Sequence, residues 1–521
     1  MKHKIKTLVA VLTSLVSTTT WAQTADMTIR NDQFWNTVEG EPIYSQGGGI
    51  FCFIDPATGK NTFFWYGAHY REAEQYRQDP SVTHQRDRFV GVTLYTSDDL
   101  VHWHSRGHVL TAEDVGWGWT GRLGVAYIEA VKKYALVVQH NKAVLFALSD
   151  SPLGPFQVHK QIDMTDMIGT PNTGDQTVFT DDNGKSYLVY SYGNGRNRTY
   201  ISEIGVMDDG TIGLLDCHEV FKGESREGNC MFKHGGKYYL CASNIYGWDG
   251  SLAYYLVSDH IYGPYLPTND MQVMQGCEQD YAHVSQTGFF TYAGDAVIFC
   301  GDRWAEFAGN GLGYNQWVPL SFDEQVKPVF HSLSAWELDA TNGRWRISPD
   351  NNYILNGSFE ADRRIVPIAV KPRQDFLRGW ETRVLKGNTV SADNPRTPHL
   401  NYDNTREDRK QVIGEHALCI SDSIAFEREV SQIIPTLPDG NYILSFKMRQ
   451  NGQFKNLKVE VDSSTGKNEF SLKRVGVGSA WTPITLPVSI SGGTATLRFY
   501  AKGKKNAQCL IDDVTLSMSK N

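Results

Sequence analysis

The sequence predicts an all-β protein, a five-bladed β-propeller followed by a β-sandwich of the jelly-roll type. From about residue 47 to residue 340, short runs rich in Tyr, Phe, Val and Ile alternate with Gly, Asp, Asn and Pro turns, as strands do. After Trp345 the runs alternate apolar and polar residues, which is typical of half-exposed antiparallel strands. A sandwich is the structural alternative for the first region, but its recurring units favour radial repetition.

Two local patterns recur in the first region. One is a turn followed by an aromatic strand, as in Asp182–Leu188 and Gly235–Leu240. The other is a strand that ends in Ser-Asp, as in Leu94–Asp98 and Tyr255–Asp259. Their spacing of roughly 45 to 60 residues is the length of a four-stranded propeller blade. We therefore place five blades near residues 47–105, 122–160, 175–222, 226–268 and 284–340.

Residues 1–22 are predicted to be a secretory signal peptide. Lys2, Lys4 and Lys6 precede an apolar stretch from Leu8 to Val16, which is too short to span a membrane. No Cys follows that stretch, so a lipid anchor is not indicated. We expect a periplasmic or secreted protein without a membrane span, with the propeller at 23–348 and the sandwich at 349–521.

The composition excludes several classes of protein. The 521 residues are 40% hydrophobic and 12% aromatic, unlike disordered, collagenous or coiled-coil chains. The net charge is −8 and no long basic run exists, which argues against nucleic acid as a partner. The eight Cys residues lack zinc-type spacing. No feature of the sequence indicates the oligomeric state.

Two carboxyl groups stand where blades open, and the opening strands of a propeller converge on its axis. Glu227 opens the fourth blade beside Arg226, and Asp175 opens the third. A carboxyl group that partial burial keeps protonated can act as a general acid, and a second carboxyl nearby can tune its pKa. The alternatives are a surface loop for Glu227 and a turn for Asp175.

The stretch from about Gly47 to Leu320 resembles glycoside hydrolase family 43, a family of five-bladed propellers, and within it the exo-β-1,3-galactanase and arabinofuranosidase-like branches. The resemblance implies inverting hydrolysis of an oligo- or polysaccharide without a catalytic cofactor. It also implies that Glu227 is the general acid and that Asp175 orients it. The matching pieces follow the family's order: Gly47–Ile50, Phe64–Gly67, Tyr95–Trp103, Ser149–Phe156, Asp175–Thr177, Arg226–Glu227, Ser285–Thr287 and Gly301–Trp304.

The general base is where this sequence departs from the family. The base is usually an Asp on the first blade, whereas the segment Tyr44–Gly49 has none. Gln286 matches a Gln that is implicated as an unusual base in the galactanase-like branch. Two alternatives remain: Gln286 only positions a water or a sugar hydroxyl, or Glu278 or Asp280 supplies a carboxylate.

A second departure concerns the substrate contacts. The galactanase-like branch has a Glu immediately before Arg122, and here that residue is Gly121. Tryptophan faces stack on the C–H surfaces of sugars, although the same residues also suit packing between blades, and Arg122 equally suits a structural salt bridge. The candidate substrate contacts are Gln46, Arg122, Trp119, Trp248, Arg303 and Trp304.

The C-terminal region resembles a jelly-roll carbohydrate-binding module. The matching pieces are Asn356–Glu360, Gly379–Trp380 and Ile511–Val514. The resemblance implies a structural Ca²⁺ with Glu360 and Asp512 as ligands, which is reasonable oxygen chemistry for this ion. The alternative is an inert sandwich that covers one side of the propeller.

Together these features predict an exported glycoside hydrolase that removes terminal arabinofuranosyl or galactosyl units from a plant-type polysaccharide. The polar loop from Arg71 to Arg88 is expected to wall off one side of the site and favour exo action. A catalytically silent sugar-binding propeller is the alternative, because the first-blade Asp is missing and residue 121 is Gly.

Overall fold

The computed structural model describes residues 26–31, 33–78, 88–116, 118–245, 251–277, 286–305, 309–359, 377, 379–388, 400–401, 417–464 and 466–520. The predicted signal peptide lies outside these residues. Strands dominate the described chain, and its helices are α1 (Arg71–Gln78), α2 (Ala112–Val115) and α3 (Thr165–Ile168). Each of these helices falls short of the length and apolarity that crossing a bilayer requires.

After β1 (Thr28–Arg30), five antiparallel sheets follow one another, each made of consecutive strands. The first contains β2 (Gln46–Ile54), β3 (Asn61–Tyr70), β4 (Phe89–Ser97) and β5 (His104–Thr111). The second contains β6 (Thr120–Ile128), β7 (Lys133–His140), β8 (Ala143–Ser149) and β9 (Gln157–Ile162). The third contains β10 (Thr173–Thr180), β11 (Ser186–Tyr192), β12 (Arg198–Val206), β13 (Ile212–Leu214) and β14 (His218–Lys222).

The fourth sheet contains β15 (Arg226–His234), β16 (Lys237–Asn244), β17 (Ala253–Ser258) and β18 (Gln272–Val273). The fifth contains β19 (Gln286–Ala293), β20 (Ala296–Ala305), β21 (Gly309–Phe322) and β22 (Pro328–Phe330). The first strands of the sheets, β2, β6, β10, β15 and β19, contact one another in that order, and β19 returns to β2. This closed ring of first strands confirms the predicted five-bladed propeller.

The fifth blade ends earlier than predicted. It stops at β22, and β23 (Ala335–Asp339) instead pairs with β1 and with β24 (Arg344–Ile347) in a separate three-stranded sheet. The buried Asn31 explains this, because its side-chain amide donates to the carbonyl oxygens of Trp317 and Leu333 at 2.9 and 2.7 Å. These bonds fix the N-terminal segment beside blade five, where β1 takes β23 as its partner.

Aromatic packing joins the first and fifth blades. The buried indole of Trp65 lies 4.9 Å from that of Trp317 and 5.2 Å from that of Trp103, measured between ring centroids. Tilted and edge-on arrangements of this kind suit the charge distribution of aromatic rings. The high aromatic content of the sequence is therefore used to close the propeller.

The polar segment that follows β3 is not entirely a loop, contrary to prediction. Its first eight residues form α1, because Glu, Ala, Gln and Arg are good helix formers and the acidic side chains lie in the first turn. The buried Glu72 accepts hydrogen bonds from the backbone N–H and Nε of Arg88 at 2.7 and 2.6 Å. This pair closes the base of the segment, whose residues 79–87 lie outside the described chain.

The C-terminal region is a β-sandwich of two five-stranded sheets around one hydrophobic core. One sheet contains β25 (Glu381–Lys386), β28 (Phe426–Pro435), β33 (Thr494–Gly503), β30 (Phe454–Ser463) and β31 (Gly466–Ser471). The other contains β26 (Leu400–Asn401), β27 (Ala417–Ser421), β34 (Gln508–Met518), β29 (Gly440–Gln450) and β32 (Thr482–Ile490). Burial alternates along β28 and β29, which confirms the predicted period of two.

Asn352 links the propeller region to the sandwich. Its backbone N–H donates to the hydroxyl of Ser334 at 2.7 Å, and its side-chain oxygen accepts from the N–H of Leu516 at 2.9 Å. The observed architecture is therefore the predicted all-β class, with propeller strands preceding sandwich strands.

Candidate active site

Each inner strand of the propeller begins with a β-bulge. The register with the neighbouring strand shifts between Gln46 and Gly49, Thr120 and Leu123, Thr173 and Gln176, Glu227 and Cys230, and Thr287 and Phe289. Bulges bend a strand and re-aim side chains, and they are common beside active sites. Since the inner strands surround the axis, these five openings form one rim, and this rim is the candidate active site.

A glycine stands in every one of these bulges. A Cβ on Gly48 would lie 1.7 Å from the carbonyl oxygen of Tyr66, and one on Gly228, whose φ is +65°, would lie 2.4 Å from that of Thr287. Neither position accepts another residue without moving the backbone. This recurrence is a signal that sequence reasoning missed, and its members are Gly48, Gly121, Gly174, Gly228 and Gly288.

A buried arginine binds two carboxylates at this rim. Arg122 is 5% exposed, and its Nε lies 3.2 Å from Oδ2 of Asp175 while its Nη1 lies 2.9 Å from Oδ2 of Asp302. Burial alone would lower the pKa of Arg122, but the charges of Asp175 and Asp302 outweigh burial and raise it. The contacts seen are those of a salt bridge, and substrate contact by Arg122 stays a prediction.

Asp175 lies in β10 and not in a turn. Besides the pairing with Arg122, its Oδ2 accepts a hydrogen bond from the backbone N–H of Gly228 at 2.8 Å. Burial raises the pKa of Asp175, but Arg122, Arg196 and this N–H outweigh it and hold the pKa below its ordinary value. Asp175 is therefore an anion at neutral pH, fixed to the residue that follows Glu227.

Glu227 is the second residue of β15 and does not lie in a surface loop. Its side chain is 13% exposed, whereas that of Asp302 is 1% exposed. Its Oε2 lies 3.6 Å from Nε of Arg196, a residue that sequence reasoning did not single out. The structure thus brings Glu227, Asp175 and Arg122 together, and Glu227 and Asp175, at 13% and 17% exposed, are both more accessible than Asp302.

Two buried amides hold the bulges of the second and third blades. Oε1 of Gln139 accepts from the N–H of Arg122 at 3.2 Å, and its Nε2 donates to the carbonyl oxygens of Thr173 and Gly174. Nε2 of Gln176 donates to the carbonyl oxygen of Arg122 at 3.4 Å. These bonds fix the backbone on either side of the Arg122–Asp175 ion pair.

Trp119 occupies the space of a side chain at position 121. Its indole is 42% exposed, and a Cβ on Gly121 would lie 2.2 Å from its Cη2 and 2.9 Å from Oε1 of Gln139. An aromatic ring therefore stands at the position where the resemblance led us to expect a Glu. The exposed ring face remains available to a sugar, and substrate contact by Trp119 stays a prediction.

The two candidate glutamines open the first and fifth blades. Gln46 is the first residue of β2 and is 6% exposed. Gln286 is the first residue of β19 and lies opposite Asp302 in the register with β20, although its side chain is outside the described part. The backbone thus places both residues on the same rim as Glu227.

Several predicted residues lie outside the described part of the chain. The side chains of Arg303 and Trp304 are among them, as are Trp248, Glu278, Asp280 and Glu360.

Asp512 is buried, and its Oδ1 accepts from the N–H of Asp513 at 2.8 Å. Within the described residues no group of three or more His, Cys, Asp or Glu could hold a metal ion. The Ca²⁺ site stays a prediction.

Comparisons with known proteins agree with the fold. The sequence model described as Glycosyl hydrolases family 43 matches residues 71–299. An exo-β-1,3-galactanase structure from Phanerochaete chrysosporium, with bound β-1,3-galactotriose, aligns with a TM-score of 0.54 at 19% identity, over 94% of this chain and all of that one. An exo-β-1,3-galactanase from Clostridium thermocellum aligns with a TM-score of 0.51 at 20% identity, over 77% of this chain and 81% of that one. None of the curated proteins compared with the chain matches it.

Proposed function

We propose that this protein is an exported hydrolase that removes terminal galactosyl or arabinofuranosyl units from plant-type polysaccharide, since residues 71–299 match the model of glycosyl hydrolases family 43. The observation that carries the proposal is the pair of carboxyl groups joined through Gly228, with Asp175 held ionised beside the partly exposed Glu227. The galactanases among its structural relatives favour the galactosyl unit.

Glu227 supplies the proton. It donates to the glycosidic oxygen as the bond between that oxygen and the anomeric carbon breaks, and the leaving sugar departs with a hydroxyl group. The fixed negative charge of Asp175, linked to Glu227 through the N–H of Gly228, favours the protonated form of Glu227. A water attacks the anomeric carbon from the opposite face and gives its proton to a base, which inverts the configuration.

The usual first-blade Asp is missing from β2 (Gln46–Ile54). Single substitutions are therefore needed to identify the general base. Gln286 on the fifth blade is our first candidate, as the base or as the residue that positions the water, and Glu278 and Asp280 are the alternatives. Each is replaced singly by Ala, and azide is added as a nucleophile that needs no base. Recovery of turnover by azide in one variant alone identifies that residue.

The proposal is tested by product release from arabinan, arabinogalactan, β-1,3-galactan and the corresponding nitrophenyl glycosides. Wild type and Glu227→Gln are measured side by side. We expect wild type to release one monosaccharide and the variant to release almost none, and the sugar released then names the substrate. Absence of release by wild type from every substrate would contradict the proposal.

A catalytically silent sugar-binding propeller is the second candidate. Trp119 covering Gly121 favours it, because this position then offers an aromatic surface and no carboxylate. Under this alternative, β-1,3-galacto-oligosaccharides bind wild type and Glu227→Gln equally, and neither protein releases product. Turnover by wild type excludes it.

A further inference from the structure

Arg196 lies in the turn between β11 and β12, at the rim beside Glu227. Its φ is +50°, in the left-handed region that favours glycine. Three hydrogen bonds tie this turn to the segment that leads into β15. The N–H of Arg226 donates to the carbonyl oxygen of Arg196 at 2.8 Å, and Ser225 and Gly223 donate to the carbonyl oxygens of Gly195 and Asn197.

The Arg196 side chain reaches from the rim toward the carboxyl groups. It is 38% exposed, and its Nε lies 3.6 Å from Oε2 of Glu227. That Nε is buried and has no hydrogen-bond partner among the described residues. A guanidinium group has a rigid fork of donors, and here part of the fork faces the solvent beside the proton donor.

The charges of the site change when Glu227 carries its catalytic proton. Glu227 is then neutral and no longer balances Arg196. The two remaining carboxylates of the site, Asp175 and Asp302, both contact Arg122. In the state that donates a proton, no described carboxylate contacts Arg196 directly, and the nearest fixed negative charge that acts on it is that of Asp175.

The two other arginines beside this turn that the structure describes are already paired. Arg198 lies 3.6 Å from Glu219, and Arg226 lies 3.1 Å from Glu224 and 3.0 Å from Asp270. Glu219, Glu224 and Asp270 therefore pair with arginines that lie beside the turn. Among the described residues no further carboxylate contacts Arg196 in the proton-donating state, and an anionic group on the substrate would supply that contact.

We propose that Arg196 is a binding site for an anionic group on the substrate, a carboxylate or a sulfate, carried by the sugar on the leaving-group side of the scissile bond. The inference rests on the proposed function, since it takes Glu227 as the acid. The acid contacts the leaving oxygen, so a cation beside it faces the leaving sugar. The fork of Arg196 matches the geometry of carboxylate and of sulfate.

The first experiment uses matched substrates. These are β-1,3-galacto-oligosaccharides that bear a uronic acid, and the same oligosaccharides after reduction of the carboxyl group to an alcohol. A second pair, the same oligosaccharide with and without a sulfate group, tests whether the anion is a sulfate. Wild type is expected to show at least a tenfold higher kcat/KM for the acidic member of one pair. A ratio near one for both pairs in wild type would overturn the proposal.

The variants are chosen to keep the fold. Arg196→Asn removes the charge and retains a residue that tolerates the left-handed conformation, and Arg196→Gln checks the same loss with a longer side chain. Both are expected to reduce the ratio to about one. Arg344→Gln, which removes an exposed arginine on β24, is expected to keep the wild-type ratio. An unchanged ratio in Arg196→Asn would contradict the assignment.

Binding separates this inference from the proposed function. In Glu227→Gln the neighbour of Arg196 is permanently neutral, so calorimetry is expected to show at least tenfold tighter binding of the acidic oligosaccharide. Adding Arg196→Asn should abolish that difference. If Arg196-dependent binding is found without turnover by wild type, the hydrolase proposal fails and the anion site stands. If wild type shows turnover but neither assay shows a preference for the anion, the anion site fails and the hydrolase proposal stands.

Discussion

The propeller and the sandwich each contain a cluster of charged side chains, and the two clusters are built in opposite ways. In the propeller one buried arginine, Arg122, contacts two carboxylates. In the sandwich one buried carboxylate, Glu460, contacts three cations, with Lys458, Lys467 and Arg498 lying 2.5 to 2.9 Å from its oxygens.

Exposure is the second difference. Lys458, Lys467 and Arg498 have side chains that are 20%, 47% and 27% exposed, so water reaches the sandwich cluster. In the propeller cluster Arg122, Asp302 and Asp175 are 5%, 1% and 17% exposed, so it is drier than the sandwich cluster. Charges removed from water interact strongly and shift proton affinities. The comparison indicates that the sandwich cluster stabilises a sheet face, whereas the proposed function gives the propeller cluster control of a proton.

The largest expected effect comes from Glu227→Gln, which removes the proton donor and keeps the shape of the side chain. Loss of a general acid costs about 10²- to 10⁴-fold in rate, and we expect a fall of that size in kcat. The control is Glu224→Gln, three residues earlier, whose side chain is 65% exposed and pairs with Arg226. A similar fall in both variants would mean that Glu227 acts only through the fold.

The two clusters are compared directly by removing the central residue of each. Arg122→Met leaves the buried Asp302 and the partly buried Asp175 without their cation and is expected to cost about 3–5 kcal/mol of unfolding free energy. Glu460→Gln leaves cations that water can reach and is expected to cost about 1.5–3 kcal/mol. Denaturant unfolding measures both. A larger loss in Glu460→Gln would contradict the distinction drawn between the clusters.

Acid should weaken the sandwich cluster in a defined range of pH. Burial raises the pKa of Glu460, but Lys458, Lys467 and Arg498 outweigh burial and lower it from 4.5 to about 2. A depressed pKa means that the stabilisation is complete above the unfolded value and is lost as the pH falls through the folded one. Unfolding free energy measured from pH 6 to pH 2 should fall less steeply in Glu460→Gln. Equal slopes in the two proteins would show that the cluster contributes no such dependence.

The smallest effect is expected from Gly121→Ala. The added Cβ has no room beside the Trp119 ring, so the ring must move. We expect KM to rise by about threefold to tenfold, which corresponds to roughly 0.7–1.4 kcal/mol, with little change in kcat. Intrinsic fluorescence reports the displacement of the indole, and Trp119→Ala serves as the reference for its complete loss. An unchanged KM in Trp119→Ala would exclude a role for this ring in binding.

Local patterns were sufficient to predict the fold and the order of its units. Turn-strand repeats mark the blades, and period-two burial marks the sandwich strands. They also drew attention to Glu227 and Asp175, because both residues stand at blade openings. The β1–β23 pairing could not be predicted in this way, since it depends on Asn31 meeting Trp317, 286 positions away.

The partners of the predicted carboxyl groups were missed for the same physical reason. Asp302 reaches Arg122 across 180 positions of sequence, and Arg196 reaches Glu227 from a different blade edge. Such pairs leave no local period in the chain. The glycine in each inner-strand bulge is the exception, because its recurrence is visible in the sequence and indicates where the strands bend toward the axis.

The central claim is that Glu227 donates a proton to the leaving oxygen, and its most direct test varies the leaving group. Wild type and Glu227→Gln are compared on β-1,3-galactobiose, whose leaving group needs a proton, and on dinitrophenyl β-galactoside, whose leaving group departs without one. We predict that the substitution abolishes hydrolysis of the disaccharide and leaves most hydrolysis of the dinitrophenyl glycoside intact. An equal loss on both substrates would contradict the claim, since Glu227 would then serve something other than proton donation.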